Sequence, residues 1–209
     1  MSMKRLRIIG ITIAALLAGW LVLFWFLHRE PRYQGRTMTK WLQINHDVLY
    51  GVMSGPGSAR LRFQAGGAIH AIGTNGLPVL LNLLRAKDSP FRIRMRILFS
   101  HQHYINKIGY PSDRDKHNLA KEGFALLDQN AKSAIPDLAQ MCDNPDEEVR
   151  FIALNVLLNL QPKKQVLVPV LLKRINDTHQ GLKKYSIDLL NQTDPEAAEK
   201  AGVRKLLPP

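Results

Sequence analysis

Beyond residue 38, apolar positions recur at spacings of three and four, and no run alternates with period two for long enough to propose a sheet. The clearest stripe is Val149, Ile152, Ala153, Val156, Leu157 and Leu160, which lies on one face of a helix. Asp146, Glu147 and Glu148 stand at its start, where the positive end of the helix dipole favours negative charge. The same design then returns at a fixed offset: Pro136 aligns with Pro169, Val149 with Leu182, Arg150 with Lys183, Ala153 with Ser186 and Leu157 with Leu190. The offset is 33, the difference between positions 136 and 169. A period of this size predicts stacked helical hairpins, because one hairpin cannot bury its own apolar stripe.

The pattern extends upstream with an interruption. Pro78, within Asn75 to Leu84, occupies the slot of Pro136 but precedes it by more than one repeat. The gap between positions 78 and 136 is 58, an excess of 25 over the offset of 33. The excess is placed between Ala86 and Asn118. Leu119 to Gln129 then reads as the second helix of the interrupted unit, Arg60 to Ile72 as the second helix of a first unit, and Trp41 to Tyr50 as the helix before it. Prolines 78, 136 and 169 are expected near helix starts, where a missing N–H costs little. Asn144-Pro145 and Thr193-Asp194-Pro195 punctuate the hairpins. Within the insertion, Ser89-Pro90 predicts the opening of an amphipathic helix reaching about Ile105, and Ile108 to His117, with Gly109, Pro111 and Ser112, reads as a loop.

The segment before Tyr33 differs in kind. Ile8 to Leu27 runs without a charge, and at about 1.5 Å per residue it is long enough to span a hydrocarbon layer of roughly 30 Å. Trp20 and Trp25 lie toward one end, and Lys4, Arg5 and Arg7 precede the run, which favours an N-terminus in the cytoplasm and an extracytoplasmic domain. A cleaved signal peptide is the competing reading. Against it, no small-x-small pattern and no lipobox cysteine follow the apolar segment. The expected division is a basic tail over 1–7, a transmembrane anchor over 8–27, a linker over 28–38 and a helical domain over 39–209, with the insertion at about 87–117.

Charge then narrows the partners. The net charge is +12; Lys4, Arg5, Arg7 and Arg29 against Glu30 put +3 in the anchor region and +9 in the rest. Such a domain is drawn to anionic surfaces. Arg92, Arg94, Arg96, Lys107, Arg114 and Lys116 form the candidate patch for an anionic partner. Few aromatic residues are interleaved among them, which disfavours single-stranded nucleic acid. The single cysteine, Cys142, excludes an intramolecular disulfide and, in an apolar setting, reads as an inert buried thiol.

Catalytic chemistry finds no foothold. His101 and His103 point to different helix faces, and no nearby Cys, Asp or Glu completes a metal set. Gly51 to Ser58 is glycine-rich but lacks the Gly-Lys-Ser/Thr ending of a phosphate loop. No cofactor is implied.

Ala134-Ile-Pro-Asp-Leu138, Asp143 to Arg150, the Ala153 to Leu160 stripe, and the copy at Val168-Pro-Val-Leu-Leu172 with Asp177 resemble the HEAT-repeat family. Tyr33-Gln-Gly35 with Trp41-Leu42, and Asp194-Pro-Glu-Ala-Ala198, are similar to the ends of bacterial membrane-anchored HEAT proteins. The resemblance implies an all-α fold: an α-solenoid of about four HEAT-like hairpins, one interrupted by an insertion, preceded by a single transmembrane helix. It implies a non-catalytic scaffold that binds another protein. The alternative is an anion-binding module that docks on anionic lipid, wall polymer or nucleic acid through the Arg92/Arg94/Arg96 helix.

Overall fold

The structure, a computed structural model, describes residues 30–87 and 112–203, together with Gly19, Trp20 and Arg94. The expected Ile8–Leu27 anchor, apart from Gly19 and Trp20, and most of the insertion, including Arg92, Arg96, His101, His103 and Lys107, lie outside the described residues.

The described chain is mostly helical, and it opens on a small ribbon. β1 (Arg32–Tyr33) pairs antiparallel with β2 (Arg36–Thr37), across a turn in which Gln34 and Gly35 both take positive φ, 47° and 76°. That geometry suits a tight two-residue hairpin. The expected 28–38 linker is therefore ordered from Glu30 onward, and the first helix, α1 (Met38–Leu49), begins earlier than Trp41. Thr37 caps it by accepting from the Lys40 backbone N–H. Glu30 accepts from the Thr39 N–H, Met38 N–H donates to the Pro31 carbonyl at 3.0 Å, and Trp41 Nε1 donates to the Tyr33 carbonyl at 3.0 Å. The Arg36 guanidinium lies 4.8 Å from the Trp41 ring centroid, a cation–π contact. These bonds pin the entering chain to α1.

The remaining helices are α2 (Ser58–Ile72), α3 (Leu77–Leu84), α4 (Asp113–Leu127), α5 (Ile135–Met141), α6 (Glu147–Asn159), α7 (Lys164–Arg174), α8 (Gln180–Thr193) and α9 (Pro195–Lys200). They pack in chain order: α1 on α2, α3 on α4, α5 on α6, α7 on α8, with α9 against α8. Between pairs, α4 touches α1, α2 and α6, and α5 touches α7. The 3-10 turns at Gly73–Gly76 and Asp128–Ala134 also meet. Leu42, Leu80, Leu84, Leu119, Phe124 and Leu127 are almost fully buried where α1, α3 and α4 converge. Gly123 permits that approach: a Cβ there would sit 2.3 Å from a Leu80 methyl, inside any tolerable contact.

A residue of positive φ caps α2 and α4 and follows the cap of α6. Gly73, Asp128 and Gln161 all have positive φ, at 59°, 46° and 52°. Gly73 and Asp128 share ψ near −140° and −128°, a region that favours glycine. From Asp128 to Gln161 the offset is 33, that of the sequence repeat, whereas from Gly73 to Asp128 it is 55.

Three expectations need correction. α4 begins at Asp113, inside the stretch read as a loop over Ile108 to His117. The cause is a capping box: Asp115 N–H donates to Ser112 Oγ at 3.1 Å, while Ser112 N–H donates to Asp115 Oδ2 at 2.8 Å. Two orphan donors are satisfied reciprocally, which is enough to start the helix ahead of Leu119. Second, Pro78 and Pro136 sit in the first turns of α3 and α5, but Pro169 lies inside α7. α7 is nucleated farther upstream, at Lys163. Both Pro169 and Gln165, the residue whose carbonyl loses its partner, are exposed, so water can replace the missing ladder bond. Third, the strand-free expectation meets the short β1–β2 ribbon.

Among the described residues, one helical run, Ser58–Leu84, is long and apolar enough to cross a membrane. It is not a straight rod. Gly73 breaks it with φ 59° and ψ −140°, and α3 returns its leucines Leu77, Leu80, Leu81 and Leu84 to the core. The apolarity of that second half is consumed by packing against neighbouring helices.

Candidate interaction surface

The densest polar cluster joins the last two helix pairs. Arg150, in the apolar stripe of α6, is 7% exposed, and its guanidinium grips Asp177 with two bonds, Nε to Oδ2 at 2.9 Å and an Nη to Oδ1 at 2.7 Å. The other Nη donates to the Asn144 and Pro145 carbonyls, each at 3.0 Å. Asp177 also accepts from Arg174 at 2.9 Å and from the His179 N–H at 2.9 Å. Asp143 extends the cluster to Arg174 and Lys173. The hydrogen bond to Asp177 outweighs desolvation and raises the Arg150 pKa above its ordinary value. Burial acts to raise the Asp177 pKa, but the bonds from Arg150, the His179 amide and Arg174 prevail and lower it. Every strong donor and acceptor in the pair is spent internally, so this is a structural clamp.

His117, on α4, stands one repeat offset before Arg150. It is 2% exposed, with Nε2 3.1 Å from the Ala86 carbonyl. Only an Nε2–H can make that bond; Nδ1 has no hydrogen-bond partner among the described residues, and Glu148 Oε2 is 4.0 Å away. That bond ties the first half of α4 to the chain just after α3. A second polar contact holds α1 to α4: Asn45 and His46 both reach the Glu122 carboxylate, at 3.0 and 2.7 Å. No group of three or more His, Cys, Asp or Glu suited to a metal occurs among the described residues.

Of the predicted anionic-partner patch, three members are described. Arg94 is helical and exposed. Arg114 is largely exposed and approaches Glu148 at 3.5 Å. Lys116 differs: its side chain is mostly covered and lies 3.5 Å from Asp113 within its own first turn. Arg114 and Lys116 share the start of α4, but only the first is open to a ligand. Cys142 is fully buried, and burial pushes its thiol up to about 12.

Surface features that the repeat pattern concealed lie at the other end of the fold. Phe63 on α2 is 84% exposed, Val52 73% and Tyr50 63%, with Leu49 and Met53 also open. Phe63 lines a groove of about 750 Å³ together with Val48, Ala59, Arg62, Gly66, His70 and Leu126. The sequence does carry a signal for this region: from Val48 to Lys87 there is no Asp or Glu, while Arg60, Arg62, Arg85 and Lys87 are present. Read only for helix periodicity, that signal passes unnoticed.

No known family, curated protein or solved structure matches the chain.

Proposed function

We propose that this protein is a membrane-tethered, non-catalytic scaffold of the HEAT-repeat kind, held by Ile8–Leu27 with its N-terminus in the cytoplasm, whose second helices present a surface to a protein partner. The observation that carries the reading is the recurrence of one unit design: helices paired in chain order, and a residue of positive φ at or just after the cap of α2, α4 and α6, at Gly73, Asp128 and Gln161. Units built alike and leaning on neighbours leave one helix of each pair facing outward. On these second helices Lys121, Ala125, Phe151, Asn159 and Lys184 are exposed, a mixed apolar and polar set suited to a protein surface. Catalysis has no comparable support, since the clustered charges are consumed in the Arg150–Asp177 clamp.

Site-specific photocrosslinking in native membranes tests this. A crosslinker at Phe151 or Lys184 is expected to capture one discrete protein, at high salt as at low, while one at Leu172 on α7 captures none. Adducts at all three positions, or at none, would overturn the reading.

A further inference from the structure

The exposed apolar residues of the α1–α2 end call for a cover, and two constraints say what it is. The first is the tether. The uncharged run ends at Leu27, and the chain is already pinned to α1 at Glu30 and Pro31. Only His28 and Arg29 lie between, so Glu30 is held within roughly 11 Å of the end of that run, at about 3.6 Å per residue, and the start of α1 is bonded to Glu30 and Pro31. β1 contacts α2 directly, and α1, 12 residues long, spans about 18 Å, so the α1–α2 turn stays within reach of the bilayer that holds the tether. The second constraint is charge. The stretch from Val48 to Lys87 has no carboxylate, and the open Phe63 is flanked by exposed Arg60 and Arg62. Protruding apolar side chains beside arginines, with no acid between them, match an interface of acyl chains below and anionic headgroups above.

We propose that the α1–α2 turn, with Tyr50, Val52 and Met53, and Phe63 of α2 seat on the anionic bilayer beside the anchor, with Arg60 and Arg62 meeting lipid phosphates. This rests on the anchor reading of Ile8–Leu27. Seating one end of the fold in this way fixes the orientation of the domain, which a short tether would not do alone. The far end, with α6 to α8, is then presented away from the membrane. The rival occupant, a partner protein's helix in the groove beside Phe63, becomes an outcome of the test.

The full-length chain in vesicles of phosphatidylglycerol and phosphatidylcholine supplies that test. Cys142 is buried with a suppressed thiolate, so an introduced cysteine takes a bimane label selectively. Labels at Val52→Cys and Phe63→Cys are expected to be quenched by doxyl lipids at least about twofold more than a label at Leu172→Cys. The Arg60→Glu/Arg62→Glu pair is expected to remove most of that difference. All three cysteine sites are exposed, so folding is undisturbed. Quenching at 52 and 63 no greater than at 172 would overturn the docking and leave the surface to a protein; an unchanged difference in the glutamate pair would overturn the role given to the arginines. Alkaline carbonate extraction after the quenching measurement reads the anchor separately, since release of the chain sinks the anchor whatever the labels report.

Discussion

Asp177→Ala should be the most damaging single truncation on the inside of this fold. It removes both bonds to Arg150, the bond to Arg174 and the acceptor of the His179 N–H, which are the contacts that join α6 to the turn between α7 and α8. Arg150, 7% exposed, would keep only the Asn144 and Pro145 carbonyls. Removing one partner of a buried pair leaves an uncompensated charge, a loss of about 3–5 kcal/mol. For a domain of this size about 2–4 °C accompanies each kcal/mol, so Tm should fall by roughly 6–20 °C. Replacing both partners with apolar residues, Arg150→Met with Asp177→Leu, should cost less than Asp177→Ala alone, because no charge is stranded. The pH dependence follows from the lowered Asp177 pKa. A carboxyl whose folded pKa lies below its unfolded value contributes stability above that unfolded value, near 3.8 here, and loses it as pH falls through the folded pKa. Wild type should therefore weaken below about pH 4 through this group, and Asp177→Asn should show a flatter acid limb. Thermal and urea unfolding of the full chain in detergent, followed by far-UV circular dichroism, measures each quantity. A change within about 0.5 kcal/mol for Asp177→Ala, as for an ordinary surface substitution, would refute the clamp.

Two further outcomes follow from the turns and the core. Asp128→Gly should stabilise the protein by about 0.5–1.5 kcal/mol, because relief of a conformation costing a non-glycine residue about 1–3 kcal/mol exceeds the entropy glycine loses on folding; a fall in urea midpoint would show that Asp128 is unstrained. Cys142, with its thiol pushed up to about 12, should resist thiol reagents at pH 8 in the folded chain, where on the order of one in ten thousand is thiolate, and react only after unfolding. Prompt labelling would place it at the surface.

The site is harder to read than the fold, and particular residues show why. Arg150 and Asp177 are both visible as parts of the repeat, yet their partnership depends on the last two helix pairs meeting, which no local window contains. Lys116 looks like a free cation beside Arg114 until Asp113, on the same helical turn, covers it. Phe63 sits in a helix whose periodicity predicts a buried face, and it is the packing of α1 and α4 that leaves it outside. Ser112 and Asp115, by contrast, spell a capping box at a spacing that is purely local; the neighbouring glycine and proline mask it by signalling a loop.

The amino-acid order alone determined that the described chain is mostly helical, because each apolar stripe is a local arrangement that needs burial wherever it goes. It also determined the acid-free stretch and the uncharged leader, which are matters of composition. Only the tertiary structure decided which charges neutralise one another, which prolines open a helix and which apolar residues stay uncovered. Those outcomes depend on distances between segments far apart in the chain, set by how the helix pairs pack.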